Sequence, residues 1–129
     1  MLEFLALVDH QMNGFEYESV RPSTREELVL QLESSDPKTI ANALYSASKY
    51  DEDSIWVQDQ CLRFLKSPDS PVRWAAATCL GDLAFSRRPL DVEVVLSALE
   101  HAAHDSQIAD PARFSISLVR QYRGPKLEQ

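Results

Sequence analysis

Two prolines with an Asp and a Ser between them divide the middle of the chain: Leu65-Lys66-Ser67-Pro68-Asp69-Ser70-Pro71-Val72-Arg73-Trp74-Ala75-Ala76-Ala77-Thr78-Cys79-Leu80-Gly81-Asp82-Leu83. A helix cannot run through this turn, because proline lacks an N–H and clashes with the preceding helical turn. The turn does suit the start of a second helix. Asp69 stands at the N-cap place and Pro71 in the first turn, where its missing N–H costs nothing. The small residues after it allow a neighbouring helix to come close. The segment therefore predicts a helix, a tight turn and a second helix.

The same pattern occurs three times. In the first unit Leu28, Val29 and Leu32 mark one helix and Ser34-Ser35-Asp36-Pro37 a turn. Ile40, Ala43, Leu44 and Ala47 then follow the i, i+3, i+4, i+7 spacing of one helical face. In the second unit Cys61, Leu62 and Leu65 precede the Pro68–Pro71 turn, and Val72, Ala75, Ala76, Cys79, Leu80 and Leu83 form the stripe. Leu32 and Leu65 lie 33 residues apart, each four before its turn Asp. In the third unit Val95, Leu96 and Leu99 mark the first helix. A longer turn runs from His104 to Ala109, and Asp110-Pro111-Ala112-Arg113 restarts a helix with Ile116 and Val119. Arg113 aligns with Arg73, whereas Ala41 stands at that place in the first unit.

Pro-Asp-Ser-Pro-Val-Arg followed by small residues resembles the turn and second helix of a HEAT repeat. The resemblance covers residues 24–123. It implies an all-α fold: a short right-handed α-solenoid of HEAT-like helical hairpins over 24–50, 54–88 and 91–123, in one domain spanning 1–129. Ser23-Thr24-Arg25-Glu26 has the capping-box form that opens a helix. Lys49 to Ser54 is a polar break, Arg87-Arg88-Pro89 ends the long middle helix, and Asp91 can cap the next one. Leu2, Leu5, Val8 and Met12 predict a short helix within residues 1–22 that caps the solenoid end, and Phe15 to Val20 alternates like an extended stretch. Residues 124–129 read as a frayed tail.

Charge is distributed unevenly along the chain. Residues 1–54 hold 4 basic and 11 acidic residues, while residues 55–129 hold 9 of each, so the whole net charge of −7 lies in the first part. Such a surface repels nucleic acid and anionic membranes and draws a basic partner. It also simply keeps a protein soluble. No apolar run approaches the ~20 residues that cross a bilayer. Met1 to Asp9 lacks the basic start of a signal peptide. Cys61 and Cys79 both fall on apolar helical faces and read as buried reduced thiols. Together these suggest a cytoplasmic protein.

In HEAT-like proteins the second helices of successive units line the concave face, and the resemblance carries that expectation here. The unit alignment makes Asn42, Trp74 and Phe114 equivalent outward positions. Tyr45 and Lys49, Ala77 and Gly81, and Ser117 and Gln121 follow on the same strips, with Asp82 and Tyr122 beside them. Trp74 suits either an interface anchor or packing between units, and Phe114 is expected to pack. The candidate partner-binding residues are Asn42, Tyr45, Lys49, Trp74, Asp82, Gln121 and Tyr122, with the acidic Glu16, Glu18, Glu26, Glu27, Asp51, Glu52 and Asp53. Asp36, Asp51 and Asp53 are also natural helix caps.

Three scattered glycines form no phosphate loop, and there is no Cys-x-x-Cys motif. His101 and His104 are spaced like half a metal site but read as surface residues at a polar helix end. Nothing implies catalysis, a cofactor or a metal. The sharpest reading is an immunity or inhibitor protein that covers the cationic active cleft of a basic toxin, such as a nuclease. An adaptor that scaffolds an enzyme complex fits almost as well. A nucleic-acid processor would need a basic stripe, and the arginines here are diluted by acids.

Overall fold

The computed structural model describes residues 20–122. The expected N-terminal capping helix, the extended stretch up to Ser19, Glu16, Glu18 and the tail lie outside them. Six helices follow: α1 (Arg25–Leu32), α2 (Pro37–Tyr50), α3 (Ser54–Phe64), α4 (Ser70–Phe85), α5 (Val92–Ala102) and α6 (Ala109–Tyr122). The described residues contain no strand. The fold is all-α.

Local sequence sets the helix starts. Thr24 caps α1 by accepting from the Glu27 N–H (3.1 Å), and the Thr24 N–H donates to Glu27 Oε1 (2.8 Å). The capping box is thus one residue later than the Ser23–Glu26 register. Asp36, Asp53 and Asp91 cap α2, α3 and α5 through their side chains. Asp69 occupies the N-cap place of α4 but makes no side-chain capping bond, contrary to expectation. Asp110 is not a cap either: α6 opens at Ala109, because Ile108 already accepts from the Ala112 N–H (3.1 Å) and draws the helix start upstream.

Consecutive helices pair as α1 on α2, α3 on α4 and α5 on α6, and α4 also packs along α2 and α6. Every residue of α4 from Ala75 to Ala84 is buried. Ridge packing alone leaves room for side chains between helices, yet α4 and α6 approach more closely than that. A Cβ on Gly81 would lie 2.3 Å from Ser115 Oγ and 2.8 Å from Ser115 Cβ. The Ser115 hydroxyl donates to the Ala77 carbonyl (2.7 Å), so the seam has no unpaired group at that point.

Arg88 and Arg73 join the units. The α4 helix closes with Arg87 in the left-handed region (φ 59°), its N–H donating to Ala84 O and the Arg88 N–H to Leu83 O. This is a Schellman ending built without glycine. It turns the Arg88 guanidinium onto the carbonyls of Ser48 (2.7 Å) and Asp51 at the end of α2. Arg73 binds Asp105 (3.0 Å), the Ser67 carbonyl (2.9 Å) and Gln107 (2.7 Å), tying the second unit to the third. Arg113, its counterpart in the alignment, is exposed. Cys61 and Cys79 are buried free thiols, and burial together with Cys61 pushes the Cys79 thiol well up.

Candidate partner interface

The acidic candidates from two separate segments meet at one edge. Arg25, in the first turn of α1, grips Asp51 with two bonds, Nε to Oδ2 (3.0 Å) and Nη2 to Oδ1 (2.9 Å). Its guanidinium lies over the Trp56 ring, 3.8 Å from the centroid. The Arg25 hydrogen bonds hold the Asp51 carboxyl below the usual carboxylate range. The start of α1 is thereby fixed against the α2–α3 connection. Glu26, Glu27, Glu52 and Asp53 all stand exposed along this edge.

Their availability differs. Glu27 completes the α1 capping box, Asp53 caps α3 through the Trp56 N–H (3.0 Å), and Asp51 serves Arg25 and the Asp53 N–H. Glu26 and Glu52 have no such duty. Two apolar side chains flank the acidic run, Tyr50 (40% exposed) and Ile55 (39% exposed). Sequence reasoning missed both. The available signal was that Ile55 falls off the stripe of Ser54, Val57, Cys61 and Phe64, which are buried.

The second-helix strips do not form the open surface that was expected. Asn42 and Gln121 are exposed and Lys49 is half-buried, but Tyr45 and Asp82 are completely buried. Ala77 and Gly81 are buried as well. The strip assignment assumed helices with one inward face. The middle helix α4 is enclosed by α2, α3, α5 and α6, so it has no outward face in its central turns. On α2 the buried set runs from Ala43 through Ser48 without a break, which turns Tyr45 into the core. Phe114 departs in the other direction: it is 40% exposed. Tyr122 meets Phe85 edge-on (5.5 Å, 79°), with the Arg87 guanidinium 5.3 Å from its ring.

Along α4 lies an electrostatic anomaly. Both carboxylate oxygens of Asp82 lack a hydrogen-bond partner. The Ser48 hydroxyl stands beside it but donates to the Tyr45 carbonyl (3.1 Å). Burial pushes the Asp82 carboxyl up to about 7, against Arg88, the Ser48 hydroxyl and Lys49, which favour its charged form. Trp74 Nε1, Thr78 Oγ1 and Ser86 Oγ are also shut off and unpartnered.

On the opposite pairing, α3 and α5 enclose a groove of about 840 Å³ floored by Leu62, Leu65, Ala98 and Ile108. Lys66, His101 and His104 edge it. Among the described residues no group of three or more His, Cys, Asp or Glu is placed to hold a metal, and no helix is long and apolar enough to cross a membrane.

No protein-family model and no curated protein matches the chain. A solved structure does. The chain is similar to one from the crystal structure of a CDI complex from Cupriavidus taiwanensis LMG 19424, with a TM-score of 0.75 and 26% sequence identity. The match covers 84% of this chain and 98% of that one.

Proposed function

We propose that this chain is an immunity protein that binds a toxin and blocks it by occlusion, without catalysis of its own. The observation that carries the reading is the likeness, over nearly the whole of both chains, to a chain of a CDI complex, an assembly of the toxin–immunity kind. The acidic edge supplies the physics. Carboxylates at Glu26 and Glu52 would speed encounter with a basic toxin, and Tyr50 and Ile55 beside them would slow release once water is excluded. The three helix pairs are read as HEAT-like repeats of a short solenoid, a reading supported by α2, α4 and α6 packing side by side. The two buried free thiols support action in the cytoplasm.

Growth tests this reading. Cells producing a CDI toxin whose gene adjoins the one for this chain are expected to survive when the chain is co-produced. Survival should fall when Glu26 and Glu52, which cap no helix, are both changed to Lys. Death of cells that contain the folded wild-type chain would overturn the proposal.

A further inference from the structure

Helix α1 carries apolar side chains on opposite sides. Leu28 and Leu32 are buried, while Leu30 is 74% exposed. Two residues of helix turn the chain by about 200°, so Leu30 points away from the core. On the helix surface Glu26, Glu27 and Glu33 stand at its i−4, i−3 and i+3 places, and Val29 beside it is exposed as well. Glu27 closes the capping box and Glu33 pairs with Arg63 (3.5 Å), which leaves Glu26 the least engaged. The outer face of α1 is thus apolar at its centre and acidic around it, the form that interaction surfaces take.

The groove between α3 and α5 has the opposite character. Its floor is apolar, and Lys66, His101 and His104 edge it. The acids at this rim are already engaged. Asp105 is bound by Arg73 (3.0 Å), and Glu100, next to His101, by Arg120 (2.8 Å). The rim therefore offers one ammonium group and two imidazoles to an incoming carboxylate. An open groove with an apolar floor suits the apolar face of a helix.

We propose that the α3–α5 groove receives α1 of a second copy of this chain, with Leu30 on the floor and Glu26 at the rim beside Lys66 and the two histidines. Charge decides between occupants. The acidic frame of Leu30 matches this rim, whereas a basic toxin surface carries the wrong sign for it. Helices α1, α3 and α5 are the first helices of their pairs, set against the row of α2, α4 and α6. Both surfaces therefore belong to one layer, and reciprocal insertion closes a two-fold dimer. The dimer itself needs no toxin. Under the immunity reading, the second copy and the toxin compete for Glu26.

Sedimentation of the full chain over a wide concentration range tests this. The wild type is expected to pass from monomer to dimer as concentration rises. Leu30→Ser, at a site outside the core, is expected to weaken the dimer at least tenfold. Glu26→Lys and Lys66→Glu are each expected to weaken it too, and their combination to recover part of the loss, because the exchanged charges again attract. A photo-crosslinker attached at residue 30 is expected to mark residues 97–101 of the second copy. A wild type still monomeric at millimolar concentration would overturn the proposal, and loss of CDI-toxin binding in Lys66→Glu would then give the groove to the toxin. A dimer indifferent to Leu30→Ser, or one whose crosslinks fall outside the groove, would overturn it as well.

Discussion

Asp82 is the residue at which the domain works against its own stability. Its carboxyl titrates near 7 in the folded chain, against 3.8 as its ordinary value. Between those values the folded state binds the proton and the unfolded state does not. The stabilisation is therefore complete below about pH 4, falls progressively as pH rises, and is lost once pH passes about 7. The full difference amounts to about 4 kcal/mol, a large share of the stability of a small domain. Asp82→Asn is thus expected to raise the melting temperature at pH 8, less so at pH 5, and to change it little below about pH 4. A melting temperature that falls at pH 8 would mean that the carboxylate is paired in solution. The sequence placed Asp82 among the partner-binding candidates as a residue on an outward strip, whereas it is fully buried. What singles it out is burial without a partner, which depends on four neighbouring helices and has no local signature.

The elements were the most legible part of the chain. Pro37, Pro71 and the capping Asp residues mark helix starts by local chemistry, and the apolar stripes of α2, α3 and α5 repeat at helical spacing. Orientation was less legible. Buried from Ala75 to Ala84, α4 carries no stripe that distinguishes one face from another. The Gly81–Ser115 contact was likewise hidden, since it joins residues 34 positions apart. It can be tested as a pair. Gly81→Ala is expected to cost roughly 1–3 kcal/mol by overpacking. Ser115→Gly should recover part of that, because it removes the Oγ and Cβ at 2.3 and 2.8 Å but leaves Cα at 3.0 Å. Denaturant unfolding of the two single variants and the double measures the coupling, and strictly additive losses would contradict the close approach. Arg73 offers a second element-level test. Its fork reaches three acceptors on two turns, which a lysine cannot reproduce. Arg73→Lys is expected to destabilise by about 1–2 kcal/mol in the same assay, and no loss would show that the second and third units are held by apolar packing alone.

At the scale of the molecule, the acidic excess of the first 54 residues has a spatial counterpart. Arg25, Asp51 and Trp56 gather the start of α1 and the α2–α3 connection into one edge, so acids some 25 residues apart in sequence stand together. The charge asymmetry was visible in the sequence, but its gathering was not, because the ion pair and the ring stacking are tertiary contacts. In the proposed function this edge attracts a basic toxin, and Tyr50 and Ile55 beside it hold it. These roles separate kinetically, since exposed charges govern association and are screened by salt, while buried contacts govern dissociation.

The most direct measurement is therefore the association and dissociation rates of the purified chain with a CDI toxin whose gene adjoins its own, across a range of salt concentrations. The account predicts tight binding whose association slows about tenfold or more between low and high salt, with dissociation almost unchanged. It also predicts that Glu26→Lys with Glu52→Lys flattens that dependence. Absence of binding, or association indifferent to both salt and charge reversal, would contradict it.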